Sequence, residues 1–315
     1  MSVDITVVIP TYNGAERLPA MLDRLRSQTG TEHFSWEVLV VDNNSRDHTA
    51  EVVQRYQADW NCAWPLRYCL ETTQGAAFAR RRGVQESTST WVGLIDDDNL
   101  PATDWVAASY AFGQSHPQAG AFSGQIHGDY EVDPPAEFSR IALFLAVTSR
   151  GTKAKLYEPA RLNLPPGAGL VVRRQAWLDS LPDRPLLAGR VGQSMVGGED
   201  LEPLIHMHQA GWEIWYNPEM HTYHQIPGWR LERQYLLALA HGAGLNTCHL
   251  SMIGLAPWKT PMVLARVFSG SLRRVLVYGL RAWRSKDLIT DCELAFFTGK
   301  MLSPFYFLKD RWIRE

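Results

Sequence analysis

The chain has few cysteines, no long apolar run and no excess of one charge, and each shortage removes a class of protein. Its four cysteines, Cys62, Cys69, Cys248 and Cys292, are scattered and never spaced Cys-x-x-Cys, which argues against a disulfide framework and a thiolate zinc site and for reduced thiols. No window reaches the roughly 18 uncharged apolar residues of a membrane-spanning helix. Residues Met1 to Ile5 run straight into a strand, without the basic and apolar regions of a secretory signal, so a cytoplasmic protein is expected. A formal net charge of −2 gives no reason to expect a nucleic-acid partner. Neither a Gly-x-Gly-x-x-Gly nor a P-loop pattern occurs, which removes the phosphate-binding devices of dinucleotide enzymes and P-loop ATPases.

What is present suffices for one large core and an accessory region: 315 residues, 45% of them apolar and 20% charged. Ile5 to Pro10 is a β-branched run, followed by a polar turn, Thr11-Tyr12-Asn13-Gly14. From Ala15 to Gln28, Leu18, Met21, Leu22 and Leu25 recur at helical spacing. The unit repeats in kind: strand Trp36 to Val41, turn Asp42 to Ser45, helix Asp47 to Tyr56, then strand Leu66 to Leu70 and helix Gly75 to Gln85. Strands alternating with helices predict a Rossmann-like α/β fold, a mostly parallel sheet flanked by helices, with ligands bound beyond the carboxyl ends of its strands. Further on, Trp105 to Phe112, a stretch near Ile141 to Val147, and a segment opening at Gly197-Gly198-Glu199-Asp200 are predicted helices. Gly120 to Gly124, Gly169 to Val172 and Trp212 to Tyr216 are predicted strands. From Arg230 the pattern is helical alone, so a catalytic domain over 1–229 and a helical region over 230–315 are expected.

The chemistry concentrates at Gly93-Leu94-Ile95-Asp96-Asp97-Asp98-Asn99-Leu100-Pro101, where a buried strand ends in three consecutive carboxylates. Such crowding is unfavourable unless water or a cation neutralises it. A divalent-metal site at the sheet edge is one reading, and an Asx turn is the other. Asp96 and Asp98, spaced Asp-x-Asp in a turn, can aim at one cation and its bound diphosphate, with Mn²⁺ and Mg²⁺ equally acceptable to hard oxygen ligands. A nucleotide diphosphate is then the natural ligand.

Five stretches in order, Val8 to Gly14, Val40 to Asp47, Gly75 with Ala79-Arg80-Arg81-x-Gly83, Ile95 to Asn99 and Gly197 to Asp200, resemble the motifs of family 2 glycosyltransferases of the GT-A fold, over roughly residues 4 to 228. The resemblance implies inverting transfer of a sugar from a nucleotide-diphosphate donor, a UDP-sugar first among them, to a glycan or lipid-linked acceptor. It implies donor contacts from Pro10, Thr11, Tyr12, Asn13, Asp42, Asn43, Arg80, Asp96 and Asp97. It implies Asp98 and Asp96 as metal ligands and His224 as a third, with His221 as its rival, and Asp200 as catalytic base. Glu199 orients the acceptor, or the two exchange roles; Asp200 as a mere helix N-cap is the structural alternative. The Gln-x-x-Arg-Trp motif of processive members is absent, Gly228-Trp229-Arg230 standing in that neighbourhood, which implies one sugar per encounter. The overall shape, C-terminal region included, further resembles cyanobacterial glycosyltransferases of hormogonium polysaccharide synthesis. Two rival functions are a sugar nucleotidyltransferase, for which the first turn lacks basic charge, and a non-catalytic nucleotide- or glycan-binding subunit.

Between Pro257 and Lys286 stand seven basic residues and no acidic one. On a helix Arg266, Arg273, Arg274, Arg281 and Arg284 fall within an arc of about 100°, opposite Phe268, Leu272, Val275, Leu276 and Trp283. Two readings stay open: a helix on an anionic membrane at the inner face of the plasma membrane, or one packed on the catalytic domain with its basic side solvated. The aromatic residues near the end, among them Phe305 and Trp312, would join that surface or form a homodimer contact.

Overall fold

Ile5–Thr11 (β1) and Trp36–Asp42 (β2) are buried along their whole length. That burial is why they read as continuous apolar runs rather than alternating ones. The helix between them, α1 (Leu18–Arg26), buries Leu18, Met21, Leu22 and Leu25, the residues that set the sequence period. α2 (Thr49–Ala58), β3 (Leu66–Leu70), α3 (Ala76–Glu86) and β4 (Trp91–Leu94) complete three strand–helix–strand crossovers. β5 (Asn99–Pro101), α4 (Trp105–Ser115), β6 (Ala119–Tyr130), β7 (Lys155–Leu156), β8 (Leu170–Arg173), α5 (Arg174–Ser180), α6 (Leu201–Gln209) and β9 (Glu213–Ile226) follow. The chain closes with α7 (Arg233–Leu245), α8 (Thr247–Met252), α9 (Thr260–Ser285) and α10 (Leu288–Arg314). This computed structural model describes residues 3–182, 185–187, 189 and 195–314.

Among the described residues the strands form one sheet in the order β3-β2-β1-β4-β8-β6-β9-β5, with β7 on the flank of β9. The first four strands are parallel, as the alternation of elements predicts. Beyond β4 the sheet is mixed: β8 runs antiparallel to both β4 and β6, β6 and β9 are parallel, and β5 and β7 run antiparallel to β9. Helices cover both faces. Met21 and Leu25 of α1, Val53 of α2 and Trp105 of α4 fill one side. Ala79 of α3, Trp177 of α5 and Leu204 and Met207 of α6 fill the other. Gly83 is required on that second side, because a Cβ there would lie 2.3 Å from a Val8 methyl.

Three local expectations change. The segment near Ile141 to Val147 forms two short 3₁₀ turns, Phe138–Arg140 and Ala142–Leu145, the second ended by Ala146 at φ +59°. Asn99 to Pro101, placed by the sequence beyond the end of a strand, pairs with Thr222 to His224 as a short strand of its own. β9 is far longer than Trp212 to Tyr216, because Pro218 falls in a bulge: the register against β6 shifts between Ser123 and Gln125. Gly124 lets the chains approach there, since a Cβ on it would lie 2.1 Å from the Met220 carbonyl oxygen. A separate core joins Phe138, Ile141 and Leu145 to Leu236 and Leu239 of α7 and Ile289 and Cys292 of α10.

Candidate active site

A cleft of about 740 Å³ opens at the carboxyl ends of β1, β2 and β4, and its wall includes Pro10, Thr11, Tyr12, Asn43 and Asp96 to Asp98. Asn99 N–H donates to the Asp96 carbonyl at 2.9 Å, so the three aspartates sit on a turn and their side chains diverge. Each meets a different arginine. Arg80 Nη2 donates to both oxygens of Asp96, at 2.8 and 3.1 Å. Arg17 Nε and Nη2 donate to Asp97 at 2.9 and 3.0 Å, and Thr11 Oγ1 donates to the same carboxylate at 2.5 Å. Arg230 Nη1 donates to Asp98 Oδ2 at 2.9 Å.

The electrostatics follow from burial. Burial opposes ionisation of Asp98, but the Arg230 guanidinium beside it outweighs burial and holds the carboxyl well below its usual range. At Asp97 burial prevails over Arg17 and Thr11 and moves the group upward, with Asp98 adding repulsion. Burial also works against the charge of Arg80, yet Asp96, Glu199 and Asp200 together raise its affinity for the proton.

Arg80 joins the two halves of the cleft, because its Nη1 also donates to Glu199 Oε1 at 3.2 Å. Glu199 Oε2 is buried and among the described residues has no hydrogen-bond partner, an open acceptor in the wall. Asp200 stands at the N-terminus of α6 but does not cap it. Its Oδ2 instead accepts the Gly167 N–H at 2.7 Å. Gly167 permits this contact, since a Cβ there would lie 2.7 Å from Asp200 Cβ. Burial, then the neighbouring Glu199 charge, pushes Asp200 up to about 6 despite Arg80 and the Gly167 bond.

His224 comes to the site through strand pairing, being the register partner of Asn99. Its Nδ1 lies 2.8 Å from the Leu145 carbonyl oxygen, which can only accept, so Nδ1 carries the proton. Nε2 is left as an acceptor, 3.0 Å from Arg230 Nη1 and 3.6 Å from Asp98 Oδ2. The rival His221 faces elsewhere, stacked on His127 with 2.9 Å between ring nitrogens. Among the described residues no group of three or more His, Cys, Asp or Glu side chains converges on one metal position.

Asp42 and Asn13, both read as donor contacts, are not in the cleft wall. Asp42 is buried, accepting from the Tyr68 hydroxyl and the Ser45 N–H, both at 2.9 Å. Burial and this carboxylate push the Tyr68 phenol up to about 12. Asn13, at φ +48°, accepts from the Arg46 N–H and so ties the first turn to the second. Asn43 does line the cleft, and it holds the entry to α3 by accepting the Gly75 N–H and donating to the Thr73 carbonyl. Arg17 and Arg230 are the residues that the sequence reading missed. The available signal was arithmetic: three adjacent carboxylates at the end of a buried strand need cations, and Arg80 alone cannot serve all three.

With that geometry in hand, a model of glycosyl transferase family 2 matches residues 6–173. Glycosyltransferase AglE of Haloferax volcanii is 33% identical over 103 residues, 32% of this chain and 33% of its own length. The chain thus spans about a third of that relative. Glucosyl-dolichyl phosphate glucuronosyltransferase of the same organism is 23% identical over 236 residues, 74% of this chain and 72% of its own. Among solved structures, mannosyltransferase PcManGT of Pyrobaculum calidifontis, in complex with GDP-Man and Mn²⁺, gives a TM-score of 0.57 at 21% identity, covering 100% of this chain and 89% of its own. That likeness carries the fold, which is GT-A.

Proposed function

The chain belongs to glycosyl transferase family 2, and we propose from that premise that it is an inverting, non-processive, metal-dependent glycosyltransferase. Its donor is a nucleoside-diphosphate sugar, with uridine the first base to test, and its acceptor a glycan or a lipid-linked sugar in cell-surface polysaccharide synthesis. The observation that carries the reading is Arg80, which binds Asp96 of the aspartate turn and Glu199 beside Asp200 in one cleft. One guanidinium thereby couples the donor side to the acid pair.

The residues fit a hard divalent cation. Asp98 Oδ2 and the unprotonated Nε2 of His224 are both directed at Arg230 Nη1, so a positive charge already stands between them. Two protein ligands suit an ion that takes its other oxygens from phosphate and water. Asp98 and His224 would hold it, Asp96 remaining with Arg80, and when bound it would supply neutralisation of the leaving diphosphate. Arg230 yields that position or moves to the phosphates.

Asp200 is suited to the base role. A carboxyl pushed up to about 6 is ionised at neutral pH yet accepts a proton more readily than an ordinary aspartate. It takes the acceptor hydroxyl proton while that oxygen attacks the anomeric carbon; the bond from carbon to diphosphate oxygen breaks, and its electron pair leaves with the diphosphate. The open Oε2 of Glu199 would accept from a second acceptor hydroxyl. Arg17 and Thr11, by holding Asp97, keep the aspartate turn against β1.

We also keep the division at 229/230 and a peripheral membrane contact in the proposal. Among the described residues no helix is long and apolar enough to cross a membrane. Instead α9 buries only Val263, Val267 and Ser271 and leaves Leu276 and Trp283 68% and 74% exposed, which supports a helix lying on a lipid surface more than one packed on the domain.

Thermal shift of the purified protein against UDP- and GDP-sugars, with Mn²⁺ and with EDTA, tests the donor site. A rise in melting temperature lost on chelation is expected. Silence toward all nucleoside diphosphates, with the protein well folded, would move the weight to a non-catalytic subunit.

A further inference from the structure

A second cavity of about 710 Å³ lies among α6, α8, α9, α10 and the turn at Pro159–Arg161. Its wall carries Arg161, Arg266, Arg273, Arg274 and Lys300 and no acidic residue. Arg161 pairs with exposed Glu158 at its rim. Among the described residues the other four have no carboxylate at ion-pairing distance. Ser271 Oγ, in the same wall, is buried and has no hydrogen-bond partner among the described residues, and the residue is only 2% exposed. Four unpaired cations around an orphaned hydroxyl leave an arrangement short of an anion with several acceptor oxygens.

We propose that this cavity is a binding site for a phosphate group, borne by an anionic lipid headgroup or free in solution. A tetrahedral dianion offers acceptors to two guanidiniums, an ammonium and a hydroxyl at once, and its charge relieves the repulsion among them. That repulsion leaves a mark on Lys300, whose affinity for its proton is lowered by burial and then by Arg274 and Arg266. The location links the pocket to the cleft. Ile205 and Gln209 of α6 line it, and α6 begins directly after Asp200, so these two residues lie about 8 and 14 Å from Asp200 along one helix axis. The site does not depend on the transfer reaction, because none of its lining residues belongs to the cleft wall.

The test pairs two charge-matched double variants of the full chain. Arg274→Gln with Lys300→Gln removes two cavity cations, whereas Arg281→Gln with Arg284→Gln removes two from the same region of the chain outside the cavity. Calorimetric titration uses inorganic phosphate, and flotation uses phosphatidylcholine vesicles with and without phosphatidic acid. The cavity variant should bind phosphate, or the acidic vesicles, at least about tenfold more weakly than wild type, as losing charge-assisted hydrogen bonds demands, and the outer pair should be near wild type. Loss toward inorganic phosphate identifies a free anion as sufficient. Loss toward vesicles alone identifies a headgroup. Equal weakening in both variants, or no weakening in the cavity variant, overturns the site. Should the cavity variant fail to fold, Arg266→Gln at an exposed position of the wall is read against the same two outcomes.

Discussion

The cleft and the α9–α10 pair are both rich in arginine, yet they treat charge in opposite ways. In the cleft each of the three aspartates has been matched: Asp96 to Arg80, Asp97 to Arg17, Asp98 to Arg230. Around α9 the cations stand beside one another with no acid among the residues from Pro257 to Lys286. Buried charges must be paired where they form, because desolvation is too unfavourable otherwise, while half-exposed ones tolerate crowding by keeping water. The difference suggests two modes of binding. A ligand enters the cleft by exchange, displacing an internal partner, and enters the basic pocket by capture.

The strongest way to break the comparison is to unbalance the cleft. Asp200→Asn should lower transfer by about 10²–10⁴-fold while sparing donor binding. It should also stabilise the protein at high pH. Asp200 is raised to about 6, so the folded state gains from its protonation. Such a group favours folding most below its ordinary value near 4, and that contribution is lost as pH rises through 6. The variant should therefore melt higher than wild type at pH 8, by up to about 3 kcal/mol in stability, and not at pH 4. Wild-type activity should fall as pH drops below about 6. A variant that keeps full activity would remove Asp200 from the base role.

Next in size is Arg230→Met. It strips the guanidinium from Asp98 and His224, which are both largely buried, and should destabilise by about 1–3 kcal/mol. If the position between them is cationic by design, Mn²⁺ should raise the melting temperature of this variant more than that of wild type. An equal rise in both would mean that the ion binds elsewhere.

How much of this was legible in the sequence follows the same division. Features carried by neighbours along the chain were readable: the β1 and β2 runs, the spacing of Leu18 to Leu25, the aspartate turn and the Glu199–Asp200 pair. The partners were not, because Arg17 lies 80 residues and Arg230 132 residues from the aspartates that they hold. A single arginine beside a helix start looks solvated until the fold brings a carboxylate to it. Asp42 was legible as a polar residue at a strand end, but its internal partners, the Tyr68 hydroxyl and the Ser45 N–H, were not. The length of β9 was hidden by Pro218, which a bulge absorbs. His224 drew attention as a residue type, but its tautomer depends on the Leu145 carbonyl, delivered by a left-handed turn at Ala146 that no periodicity announces.

The capture mode makes a smaller prediction that runs against ordinary expectation for a substitution. In phosphate-free, low-salt buffer, Lys300→Gln should leave stability unchanged or raise it by about 0.5 kcal/mol, because it removes a cation that Arg274 and Arg266 repel. Added salt should narrow the gap by screening the same repulsion in wild type. Arg17, Arg80 and Arg230 cannot behave in this way, since the loss of each strands a carboxylate. If Lys300→Gln instead destabilised the chain as a paired residue would, its ammonium would have a partner in solution, and the contrast between a balanced cleft and an unbalanced pocket would fail at its weaker end.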